Sequence, residues 1–169
     1  MTLLYVAARE SAEQLLKDLW DGTLPVRLNA FSQALGVTKY ESILSAGLSG
    51  VVNKSPGQDP VVVLNNSDTP QRRRFTWAHE LGHVVERRDI AGDGEYSFID
   101  ARKVGNYDLH EFFADEFAGA LLMPSSEIHR MKAEGWSAAE MARAFDVSVA
   151  AVEKRLERLE RQPDEAPAV

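Results

Sequence analysis

Residues 75–86 run Phe75-Thr76-Trp77-Ala78-His79-Glu80-Leu81-Gly82-His83-Val84-Val85-Glu86. Trp77, Leu81, Val84 and Val85 recur at helical spacing with no proline between them, which predicts a buried helix over residues 76–87. A helix sets His79 and His83 one turn apart on one face, so both imidazoles can converge on a single ion. With no cysteine in the chain, a metal can be held here only by imidazole and carboxylate groups, and tetrahedral zinc suits them. Glu80 projects to the side of His79, where it can take a proton from a water at the metal without itself being a ligand. The plainer alternative is an amphipathic helix whose histidines only pack or hydrogen-bond.

A third ligand is offered by Glu111-Phe112-Phe113-Ala114-Asp115, with 27 residues between it and His83. A second helix is predicted over residues 111–123, stopped by Pro124, with Ser125 or Ser126 capping the helix that follows. Phe113, Phe117 and Leu121 give it a face to bury, and Glu111 and Asp115 share another face at i,i+4. A Glu111 carboxylate completes a catalytic zinc site that keeps one position open. Asp115 then accepts the free N–H of a zinc-binding histidine and fixes its tautomer. Exposed acidic pairs at this spacing are also common on solvated helices. An acyl-transfer site further needs a donor for the developing oxyanion, and Tyr96, Tyr107 and His110 are the candidates. His110 also competes with Glu111 as a ligand, although neighbours on a helix point about 100° apart, which argues against both binding.

Outward from these two blocks, residues 8–20 carry helical periodicity ended by Asp21-Gly22, and a short helix is expected between Pro25 and Gly36. Residues 42–52 suit strand plus turn, residues 61–64 a short apolar strand, and residues 65–70 a turn. Residues 88–108 are polar and glycine-dotted, a long functional loop with a short strand at 96–99. The last third holds two helical patterns, residues 137–145 and 148–161, separated by Asp146-Val147, like a helix-turn-helix. The opening segment has no long apolar stretch of signal-peptide type, and no run reaches membrane-spanning length. A cytoplasmic location is the simplest expectation. The formal charge of −7 argues against a nonspecific nucleic-acid coat.

Residues 75–83, followed by Glu111 to Pro124 with Ala114, Phe117-Ala118 and Leu121-Leu122-Met123-Pro124, resemble the ImmA/IrrE family of metallo-endopeptidases. Weaker similarity extends through Leu24-Pro25-Val26, Leu48-Ser49-Gly50 and the strand before Asn65. The resemblance implies a zincin-like fold, zinc on His79, His83 and Glu111, catalysis by Glu80 and an orienting role for Asp115. It also implies a regulatory substrate, a helix-turn-helix repressor or antitoxin, in a bacterial or phage setting. The strand at 61–64 would border the cleft and pair with extended substrate. Residues 88–108 match no pattern of the family, which leaves specificity open.

The expected architecture is therefore α+β: a small sheet, an active-site helix, a ligand helix and a C-terminal helical pair. A metallopeptidase domain should cover residues 1–125, helices packed on it residues 126–161, and a loose tail residues 162–169. Residues 127–161 carry seven Lys or Arg against seven Asp or Glu, so direct DNA binding is disfavoured. The stripe Val149, Val152, Leu156 and Leu159 is expected to pack on the core or a partner. The leading function is limited proteolysis. The alternative is a zinc-containing DNA- or protein-binding transcription regulator that cleaves nothing.

Overall fold

The computed structural model describes residues 3–101 and 108–164. Helices α1 (Leu4–Leu19) and α2 (Asn29–Ala34) lead into β1 (Thr38–Ser42), β2 (Leu48–Lys54) and β3 (Val61–Asn65). Helix α3 (Pro70–Glu86) passes into a π-helical turn (Arg87–Ala91) and then β4 (Tyr96–Ala101). The chain continues through α4 (Leu109–Leu122), α5 (Ser125–Ala133), α6 (Ala138–Phe145) and α7 (Val149–Arg161). This is the α+β architecture the sequence led us to expect.

The four strands lie in the order β1-β3-β2-β4, with β1 parallel to β3 and the other pairs antiparallel. Gly50 stands opposite Leu64 and Asp100, and Val52 opposite Val62 and Phe98. Because strand side chains alternate, these residues share one face. That face lies under α3: a Cβ built on Gly50 would come 2.5 Å from Thr76 Cγ2, and Thr76 Oγ1 donates to Asp100 Oδ2 at 3.3 Å. The opposite face presents Tyr40, Val63, Val51 and Ile99 as one cross-strand row; Tyr40 and Ile99 are exposed. The core lies on the α3 side, where α4 packs against both α3 and α1 through fully buried Phe113, Phe117 and Leu121.

Several boundaries differ from expectation for identifiable reasons. Helix α3 begins at Pro70, because the Thr69 side chain accepts from Arg72 N and proline fills the first helical position, where its missing N–H costs nothing. Strand β1 escaped notice because it is a polar, largely exposed edge strand that depends on pairing with a distant segment. Strand β3 was expected to border the cleft, but it is interior, paired on one side with β1 and on the other with β2. The outer strand on the site side is β4. Neither Ser125 nor Ser126 caps α5; Pro124 occupies the cap position, and no side chain bonds there. Of the expected loose tail, residues 162–164 are tied to α1: Arg9 Nη1 donates to Gln162 O, and to Asp164 Oδ1 at 3.0 Å.

Candidate metal centre

The site forms where α3 and α4 cross, and Gly82 sets how closely they cross. A Cβ at that position would lie 2.9 Å from Ala114 Cα and 3.1 Å from Ala114 O. The missing side chain lets the helix bearing His79 and His83 approach the helix bearing Glu111 and Asp115. Asp108 fixes where α4 starts, its carboxylate accepting from His110 N at 2.9 Å and Glu111 N at 3.0 Å.

One ligand atom each from His79, His83 and Glu111 lies within 4.8 Å of the others. Glu111 Oε2 is 3.2 Å from His79 Nε2, and Oε1 is 3.3 Å from His83 Nε2. His79 Nε2 is nonetheless buried without a hydrogen bond, so its approach to Glu111 lacks hydrogen-bond alignment. Donor atoms this close that do not point at one another are arranged around a third point. Tetrahedral ligands about 2 Å from a shared cation stand roughly 3.3 Å apart, which is the separation of Glu111 from each histidine. The trio as a whole lies within 4.8 Å, near enough to close on a small divalent ion.

His79 Nδ1 lies 3.0 Å from Asp115 Oδ1, the bond expected to fix its tautomer. Burial acts against charge on His79, but the Asp115 hydrogen bond and the neighbouring Glu111 and Glu80 carboxylates outweigh it and hold the ring up to about 10 when no cation is present. Burial pushes His83 down, and the Phe98 ring stacks on it at 4.1 Å, inclined by 2°. Burial opposes the charge on Glu111 too, yet the two histidines draw it down to about 2. Glu80 is outside the convergent trio, fully buried, with neither carboxylate oxygen hydrogen-bonded. Burial pushes it up to about 8 against the pull of His79, with Asp100 and Glu111 adding to the rise. Gly50 makes room for it: a Cβ there would sit 3.1 Å from Glu80 Oε1.

The remaining candidates fare differently. His110 is not one of the converging ligands. Its Nδ1 lies 2.9 Å from both oxygens of buried Glu86, and its ring is 5.7 Å from that of Phe98. Tyr96 is buried, 5.9 Å from Phe98 and under the Arg87 guanidinium; burial pushes its hydroxyl up to about 12. Tyr107 lies outside the described residues. Gly82, Phe98 and Glu86 were not singled out from the sequence. Only Gly82 had a signal there, a residue without a side chain in the middle of an otherwise well-packed helix.

The family model described as the IrrE N-terminal-like domain, Peptidase M78, matches residues 33–157. The chain belongs to this family. The radiation response metalloprotease IrrE of Deinococcus radiodurans is 32% identical over 95 residues, 52% of this chain and 28% of that protein. A Mycobacterium tuberculosis transcriptional regulator shares the fold at a TM-score of 0.59 and 17% identity, over 98% of this chain and 55% of the other. This chain thus spans under a third of the IrrE metalloprotease and about half of the regulator. The family membership and the His79, His83 and Glu111 group together support a metallopeptidase.

Proposed function

We propose that this member of the Peptidase M78 family is a zinc-dependent endopeptidase that performs limited proteolysis of a regulatory protein. The observation that carries the proposal is the pairing of three convergent ligand atoms with a buried, unbonded carboxylate one residue away. A purely structural metal site has no use for that carboxylate. His79, His83 and Glu111 would hold the ion, and Asp115 would keep His79 Nδ1 occupied so that Nε2 faces it. When bound, zinc would polarise the scissile carbonyl and make water acidic enough to attack near neutral pH. Glu80 would take the proton of that water on a carboxylate oxygen and hand it to the departing amine nitrogen. Of the two described candidates for an oxyanion donor, His110 is the one we favour, because Glu86 holds it beside the Phe98 ring that stacks on His83.

We further propose that substrate pairs with β4, the outer strand beside the site among the described residues, by strand addition. A helix-turn-helix repressor or antitoxin is the proposed substrate class, and the cytoplasm, where such regulators act, the proposed location. Consistent with that location, no helix among the described residues is long and apolar enough to cross a membrane. The competing reading is a DNA- or protein-binding regulator without proteolysis. Helix α7 buries Val152 and Leu159 inward and leaves Val149 exposed, so most of its stripe is committed to packing within this chain.

Glu80→Gln tests the proposal. It should keep about one zinc per chain while lowering cleavage of a co-expressed repressor by roughly 10²- to 10⁴-fold. Cleavage undiminished in the variant would remove Glu80 as the base. Absence of zinc from the wild-type protein would sink the metal site itself.

A further inference from the structure

We propose that Lys154 of α7 is a positioning residue for the metal centre, acting through Asp115. The inference rests on the metal-site reading above. Asp115 faces two ways. Its Oδ1 is 3.0 Å from His79 Nδ1, while its Oδ2 accepts from Lys154 Nζ at 3.1 Å and lies 3.9 Å from Arg158 Nη2. The lysine reaches it from an element 39 residues further along the chain. A carboxylate held at both oxygens cannot rotate about its Cβ–Cγ bond without losing one partner, so the lysine fixes the plane that aims the His79 ring.

Two further features separate this contact from an ordinary surface ion pair. The Lys154 side chain is 52% exposed and its partner only 15%. An exposed pair of this kind contributes about 0–1 kcal/mol to folding, so stability does not account for its placement against a carboxylate already committed to His79. The backbone carrying Lys154 is also held still. Its neighbours Val152 and Arg155 are buried, and Arg155 Nε donates to Met123 O at the end of α4. The C-terminal helical pair thereby reaches the His79 side of the metal centre through Lys154, with Arg158 farther off at 3.9 Å. Without Lys154 the carboxylate loses the 3.1 Å partner on Oδ2, and the alignment of His79 Nδ1 loosens.

The test is a zinc titration against a competing chelator on the full chain. Lys154→Met should weaken zinc binding about five-fold, less than the roughly 10- to 100-fold expected for loss of a group touching the ligand directly. Lys154→Arg should restore affinity to within about two-fold of wild type, since a donor returns to the same place. In an Asp115→Asn background, Lys154→Met should add nothing further, because the path to His79 is already cut. Metal-free Lys154→Met should unfold at nearly the wild-type denaturant concentration. Wild-type affinity in Lys154→Met would overturn the proposal, as would a loss that persists undiminished in the Asp115→Asn background. Those outcomes leave the metal site standing, whereas a wild-type chain that binds no zinc would overturn both.

Discussion

Helix α4 carries two buried polar clusters on neighbouring faces, and they are built on opposite terms. Toward α1 and α7, Glu116 is closed off by cations: Arg9 Nε at 3.0 Å and Arg158 Nη1 at 2.7 Å, with Arg9 also on Asp164 at 3.0 Å. Toward α3, the cluster is left open. His79 Nε2, His83 Nδ1 and both oxygens of Glu80 are buried without hydrogen bonds. Leaving a buried polar atom unbonded costs about 1–3 kcal/mol. Glu116 Oε1 and Asp164 Oδ2 also lack a hydrogen bond, but their carboxylates are neutralised by Arg9 and Arg158, so the contrast between the clusters is one of charge pairing. The Glu116 cluster holds three segments together; on the function proposed above, the His79 cluster keeps His79 Nε2 and the Glu80 oxygens for a ligand.

The sharpest way to break this comparison is to remove one charge from the closed cluster. Arg9→Met leaves Glu116 and Asp164 short of a partner and should lower stability by about 3 kcal/mol, in the range for breaking a buried ion pair. Denaturant unfolding measures the loss, and zinc stoichiometry at low temperature should stay at one. Equal stability would mean that the knot holds nothing. The mirror experiment is Glu111→Ala, which should abolish tight zinc binding while leaving the metal-free protein at least as stable as wild type. A large loss of metal-free stability would show that the open cluster is structural after all.

Gly82→Ala acts on the α3–α4 crossing itself. With Ala114 backbone at 2.9 Å and 3.1 Å from the new methyl group, α3 and α4 must separate, which should cost about 1–3 kcal/mol and weaken zinc binding in the same variant. Unchanged zinc affinity would show that the ligand spacing does not depend on how closely the helices cross. The smallest effect is expected far from both. Ser137 forms a capping box with Glu140 at the start of α6, and Ser137→Ala should cost about 1 kcal/mol with no change in metal affinity.

What could be read from the sequence follows the range of the interactions involved. His79, Glu80 and His83 are fixed by one turn of helix, and Glu111 and Asp115 by another, so both halves of the centre were visible locally. Their meeting rests on Gly82 against Ala114, a contact between helices that no periodicity encodes. The same holds for Lys154, whose role depends on a crossing of α7 over α4. Strand β3 was found but misplaced, because a short apolar run says nothing about whether it lies inside a sheet or at its edge. The left-handed residue in the α6–α7 turn, Asp146 with φ of 53°, stands where glycine would be the easier choice. Its side chain accepts from Gln71 Nε2 at 3.1 Å, a partner 75 residues earlier in the chain.

The outer position of β4 bears on what a cleavage-site profile would look like. Along β4, Phe98 turns toward His83 while Ile99 turns to the open side of the sheet. A peptide laid alongside would alternate in step, presenting every second residue to the catalytic wall and the rest to solvent. Selectivity in a degenerate peptide library should therefore appear at alternate positions, as a pattern with a period of two, rather than as a contiguous recognition word.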